Sequence, residues 1–167
     1  MKRYIVGFKE RNKIKWSTQK PTSVNIPYIT NKLAQQRDLN GATYTKTIED
    51  LNTPTYYPAA QFCFEDVTGD KEWFLPSAGQ MYLLAKNYSL INSAFSALKT
   101  ASLSVISPTS LVSKNGEYTR YYWTSNLYDA SNAVYLTLSL SFSYEYLTAT
   151  SASGVYYETS VRCIAEY

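Results

Sequence analysis

The sequence contains no histidine. Without an imidazole there is no Ser-His-Asp or Cys-His arrangement, and the commonest zinc ligand is missing as well. Its two cysteines, Cys63 and Cys163, are too few and too far apart for a zinc ribbon or a CxxC redox pair. Lysine and arginine are absent from the whole of 121–160, where the only charges are Asp129, Glu145 and Glu158. The basic excess behind the net charge of +3 therefore lies elsewhere in the chain. No phosphate-neutralising stripe can form in that segment, and no nucleic acid partner is expected. Long apolar runs are lacking too: Tyr4–Phe8, preceded by Lys2 and Arg3, is too short for a membrane span or a signal-peptide core. Membrane insertion is not expected, no signal peptide is visible, and export would rely on a signal removed or carried elsewhere.

The residues present suit one domain, 1–167, with 45% hydrophobic and 17% charged residues and enough length to bury a core. Tyr4–Phe8 is apolar and Lys13–Trp16 alternates, which predicts short strands, and Pro21 and Pro27 break the chain beyond them into turns. Asn40-Gly41 is a turn signal, and a short helix is expected over Thr45–Leu51. Another begins near Pro58, whose fixed φ suits a first helical turn; Ala59, Phe62 and Cys63 continue at helical spacing and turn Cys63 inward. Ser77-Ala78-Gly79-Gln80 has the form of a capping box and starts a helix that Met81, Leu84, Ala85, Tyr88 and Ile91 continue. Ile91–Leu98 extends it, and a Ser/Thr-rich connection, Thr100–Lys114, comes next. From Ala133 the period changes to two: Val134, Leu136, Leu138, Leu140 and Phe142 alternate with Tyr135, Thr137, Ser139, Ser141 and Ser143. That is the pattern of a half-buried strand. A closing strand is expected within Val155–Tyr167, with Val161, Cys163 and Ala165 on one face. Strands, then helices, then strands indicate an α+β class with a mainly antiparallel sheet.

Trp73-Phe74-Leu75-Pro76-Ser77-Ala78-Gly79-Gln80, then Tyr122-Trp123-Thr124-Ser125, then Val161-Arg162-Cys163 form an ordered set of short motifs. With the earlier Asp38-Leu39-Asn40-Gly41 and Tyr57-Pro58-Ala59-Ala60-Gln61-Phe62-Cys63, the chain resembles the Lcl-type C-terminal domain family. The resemblance implies a C-type lectin-like fold with two helices, of the kind carried by fimbrial tips, surface adhesins, phage tails and the variable proteins of diversity-generating retroelements. It implies ligand binding at an extracellular, cell-surface or virion-tail location, the partner being a protein or glycan on a host or target cell. A structural subunit or tip module assembling into a pilus or tail is the alternative. The calcium-dependent sugar motifs EPN, QPD and WND are absent, and the cysteines do not form the paired active site of the related formylglycine-generating enzyme. No cofactor and no metal are implied. In the implied fold the first helix packs beside the last strand, which makes Cys63 and Cys163 neighbours, either bridged outside the cytosol or held as two buried thiols.

The segment 121–160 holds eight of the seventeen tyrosines and eight serines. Tyrosine offers broad amphipathic contact at small entropic cost, and serine offers adaptable hydrogen bonding, a pairing typical of paratopes. The plainer alternative is that strands favour Tyr and that Ser and Thr on a sheet face are simply solvated. The recognition reading assigns the exposed face of the strand at 133–144 and flanking loops at 126–132 and 144–157. Its residues are Asn126, Tyr128, Asp129, Ser131, Asn132, Tyr135, Thr137, Ser139, Ser141, Ser143, Tyr144, Tyr146, Tyr156 and Tyr157. The same composition suits adenine-directed diversification by a retroelement. Trp73 and Trp123 are expected in the core. Asp129 and Glu145 read as solvated charges, with no third group to make an acid-base site, so no catalytic residue and no enzyme activity are expected.

Overall fold

The first and last strands lie side by side: β1 (Tyr4–Lys15) runs antiparallel to β5 (Glu158–Glu166), with Ile5 opposite Ala165 and Arg11 opposite Val161. The computed structural model describes residues 2–101, 119–140 and 146–167, without the side chains of 140 and 146–150. Beyond β5 come β2 (Thr119–Leu127), β3 (Asn132–Leu140) and β4 (Tyr146–Gly154), giving one five-stranded sheet of order β1-β5-β2-β3-β4. All neighbours are antiparallel except β2 and β5, which meet in parallel at Tyr122 and Ser160. The mixed α and β class and the mainly antiparallel sheet agree with the sequence reading.

Five α-helices occur among the described residues, where the family resemblance implied two. They are α1 (Lys32–Arg37), α2 (Gly41–Glu49), α3 (Pro58–Phe64), α4 (Ala78–Lys86) and α5 (Tyr88–Thr100). Short helices such as α1 carry too few turns for a periodic signal and are held by tertiary packing. Asn31 caps α1 by accepting the Ala34 N–H at 3.0 Å. The helix expected over Thr45–Leu51 starts four residues earlier, at Gly41, because Asn40-Gly41 is no hairpin turn. A Cβ at Gly41 would collide with Gln80 Oε1 and the Ser77 amide, so the glycine serves a close approach of α2 to α4. Pro58 occupies the first turn of α3, as expected. Gln80 Oε1 accepts the Ser77 N–H at 2.9 Å and fixes the start of α4. The helical run then breaks at Asn87, separating α4 from α5.

The sheet buries apolar residues on both faces. On one, Tyr122, Leu136, Leu138 and Ile164 pack with Phe74 and with Met81, Leu84 and Ala85 of α4. On the other, Val161, Cys163, Ala165 and Trp123 pack with Trp16, Trp73 and the α3 residues Ala59, Ala60 and Cys63. The sequence pattern gives β5 one apolar face; in the structure Arg162 and Ile164 are fully buried on its other face, since β5 lies inside the sheet. Trp73 and Trp123 are core residues, as expected. Cys63 and Cys163 form a disulfide, their Cα atoms 5.4 Å apart, which staples α3 to the last strand.

Candidate recognition face

Two of the sequence motifs, 38–41 and 73–80, meet the end of β2 in a buried polar junction. Asn126, at the end of β2, accepts the Ala78 N–H through Oδ1 at 2.7 Å and donates through Nδ2 to Asp38. The Ser77 hydroxyl donates to the Asp38 carbonyl at 2.6 Å, and the Gln80 amide donates to the Leu39 carbonyl at 3.2 Å. A side chain at Gly79 would run into that same Asp38 carbonyl. The junction joins the helix starts to the sheet and satisfies buried donors and acceptors. Asn126 is fully buried there and is removed from the recognition site: its side chain is spent on the backbone of α4.

The alternation in β3 is as expected where its side chains are described. Val134, Leu136 and Leu138 are buried, whereas Tyr135, Thr137 and Ser139 are partly exposed. The register sets the neighbours of the exposed row: Trp123, Tyr121 and Thr119 of β2 lie opposite Tyr135, Thr137 and Ser139, and Ser151 of β4 lies beyond Tyr135. Tyr121 is 48% exposed and meets the Tyr135 ring edge-on at 5.7 Å, and Tyr135 meets Trp123 edge-on at 6.1 Å. Thr119 and Ser139 share a hydroxyl hydrogen bond at 2.8 Å. Helix α4 holds the opposite face of β3, and no other described helix packs substantially on that strand. On the aromatic face α3 packs against β1 and β5, whereas Tyr121 is exposed and Thr137 and Ser139 are partly exposed.

Two loops extend this face at one end of the sheet. In the β2–β3 turn, Asp129 Oδ1 accepts the Ser131 N–H at 2.7 Å and the Asn132 N–H at 2.9 Å, and the Asn132 amide donates to both carboxylate oxygens. The Asn132 amide, helped by the Ser131 amide, holds the Asp129 carboxyl below its ordinary value. Asp129 and Asn132 thus shape the turn that presents Tyr128 and Ser131. The Val155 N–H donates to the Ser131 carbonyl at 3.1 Å, tying this turn to the β4–β5 connection. Tyr156 and Tyr157 stand there 48% and 67% exposed. The stretch 144–157, expected as a loop, is largely strand: 146–154 pairs residue for residue with β3. Its Thr, Ala and Ser composition has no apolar alternation, and the pairing decides its conformation. Tyr146 opens β4 opposite Leu140. Ser141, Ser143 and Tyr144, with Phe142 and Glu145, lie outside the described residues, as does most of the Thr100–Lys114 connection.

Sequence reasoning missed Tyr121, although its place two residues before the core Trp123 puts it on the same strand face. It also missed a cleft of about 490 Å³ beside the turn, where Tyr128 and Asn132 meet Thr30, Lys32, Gln35 and Ser151. Thr30, Lys32 and Gln35 come from α1 and the loop before it, distant in sequence and without a motif of their own, and Ser151 comes from β4.

On the helix-covered face sits a charged cluster of another kind. The fully buried Glu10 carboxylate accepts from Arg162 Nη2 at 2.6 Å and from the Tyr122 hydroxyl at 2.8 Å, and pairs with Arg120. Arg162 also donates to the Gly7 and Phe8 carbonyls and lies over the Phe95 ring. Burial, then the Glu10 charge, pushes the Tyr122 phenol well above its ordinary value. This cluster ties β1, β2 and β5 together beneath α5, and among the described residues none of its side chains lines the three clefts beside β1, α2 and α1. No group of three or more metal-ligating side chains occurs among the described residues. No family model, curated protein or solved structure matches the chain.

Proposed function

We propose that this chain is a ligand-binding domain of C-type lectin-like architecture, displayed outside the cell or on a virion, whose recognition surface is the open aromatic and hydroxyl side of the sheet. The observation that carries this reading is the pairing of Tyr121, Tyr135, Thr137 and Ser139 on a side left bare by the described helices, next to a turn rigidified by Asp129. Rigid tyrosines supply contact area, and the nearby hydroxyls adapt to polar partners. The segment 121–160 contributes no lysine or arginine and only three carboxylates, which leaves a sparsely charged surface suited to a protein or glycan partner.

The disulfide between Cys63 and Cys163 is compatible with an oxidising compartment. Tyr121, Thr137, Ser139 and Tyr157 lie outside both core clusters, so this face tolerates sequence variation of the kind a diversifying retroelement introduces. A near-copy of the segment encoding 121–160 beside a reverse transcriptase gene is the genomic sign of that process. The binding test is a screen of the folded domain against arrays of glycans and of extracellular proteins, repeated with Tyr121→Ala and Tyr157→Ala. A hit weakened about tenfold or more by either substitution, with melting unchanged, supports the reading. Hits indifferent to both substitutions contradict it.

A further inference from the structure

The two edges of the sheet differ in how they are guarded. Strand β1 carries five charged residues, Lys9, Glu10, Arg11, Lys13 and Lys15, and its pairing with β5 is interrupted by two register shifts. Lys13 also has a φ of 55°. Charge and irregularity of this sort keep an edge from pairing with another chain. Strand β4, at the other edge, has none of these features. Its sequence, Tyr-Leu-Thr-Ala-Thr-Ser-Ala-Ser-Gly, lacks charge and proline, and its register with β3 is unbroken from Tyr146 to Gly154. Among the described residues, no backbone-to-backbone hydrogen bond reaches its outer side between Tyr146 and Ser153.

We infer that β4 is a self-association edge, and that its occupant is the β4 strand of a second copy running antiparallel. N–H and C=O groups in a row, without a backbone partner among the described residues, call for another extended strand, and two features point to a copy of this one. An uncharged strand meets no like-charge repulsion when it pairs with itself. Residue size also falls along β4, so a two-fold pairing centred on Thr150 sets large against small. Tyr146 then faces Gly154, Leu147 faces Ser153, Thr148 faces Ala152, Ala149 faces Ser151, and Thr150 faces its own equivalent. Direct Thr–Thr pairing is favourable across strands. The two-fold axis stands perpendicular to the sheet, which places both Tyr121 and Tyr135 faces on one side of a continuous sheet. A multivalent target would then be held by two faces at once.

The test is the mass of the wild-type chain by light scattering and sedimentation over roughly a hundredfold range of concentration, alongside Thr148→Lys and Thr150→Lys. The expected result is a concentration-dependent dimer of the 19.0 kDa chain that both lysine variants shift at least tenfold toward monomer, with unchanged circular dichroism. Hydrogen exchange of the wild type keeps the outcome decisive if the variants fold poorly: amides of 146–154 gain protection as concentration rises. A monomer at every concentration overturns the inference. So does a dimer whose added protection lies elsewhere, or one that the folded lysine variants leave intact. Failure of the dimer is distinguishable from failure of the ligand face, because ligand binding is measured separately on the monomer.

Discussion

Tyr121 and Tyr135 touch each other, yet they stand on different terms with the core. Tyr135 is half-buried against the cluster that holds Trp123, whereas Tyr121 is 48% exposed. Truncating Tyr135 is therefore expected to cost stability as well as binding, while Tyr121→Ala is expected to leave the melting temperature nearly unchanged; paired thermal melts distinguish the two. Asp129 gives a pH prediction. Its carboxyl is held below the ordinary 3.8, chiefly by the Asn132 amide, so its stabilisation is complete above that value and is lost as pH falls through the lower folded pKa. Carboxyl carbon shifts followed by NMR are expected to titrate below 3.8, and Asn132→Ala is expected to move the midpoint upward. Glu10 sits at the opposite extreme of exposure, fully buried between Arg120 and Arg162. Removing one partner of a buried ion pair strands the other, so Glu10→Ala is expected to destabilise by about 3–5 kcal/mol in denaturant titrations.

Strand β3 was legible because alternation is a direct record of a strand with one side buried. Leu138 is 1% exposed in the α4-facing cluster, and Leu138→Ala is expected to cost on the order of 2–5 kcal/mol through the cavity it leaves. Ser139, one position along, shares a hydroxyl bond with Thr119 at the partly exposed face, and Ser139→Ala is expected to cost under about 1.5 kcal/mol. Equilibrium denaturation of the two variants checks the contrast. The start of α4 was equally legible, since the Ser77 and Gln80 contact is local. Strand β4 was not. Its residues have no periodicity of their own and become a strand because β3 offers an edge, so pairing overrides local preference. The position of Asn126 was misread for a related reason: a polar residue in a Tyr/Ser-rich segment looks exposed until the partners that bury it, Asp38 and Ala78, are brought from the first half of the chain.

At the scale of the whole molecule, the chain folds back so that its first strand, third helix and last strand are neighbours, and the disulfide records this. The adjacency of Cys63 and Cys163 came from the topology that the family resemblance implied, not from any spacing rule. The bridge spans a sequence separation of 100 residues. Constraining so long a loop is expected to stabilise the fold by about 4–5 kcal/mol in the chain-entropy model, less any change in packing. Replacing both cysteines with alanine and comparing denaturation midpoints measures it, and alkylation with and without reductant reports the bridge by mass. The cleft beside Tyr128 was invisible in the sequence because its walls come from α1, the β2–β3 turn and β4, which only the fold unites. The central claim is that the open side of β2 and β3, with the adjoining turns, is where a partner sits. Chemical-shift mapping of the isotopically labelled domain, titrated with the strongest hit from the array screen, probes that surface residue by residue. Perturbations are expected to concentrate at Tyr121, Tyr135, Thr137, Ser139, Tyr128 and Tyr157; perturbations confined to the basic β1 edge or to the helix-covered face would contradict the claim.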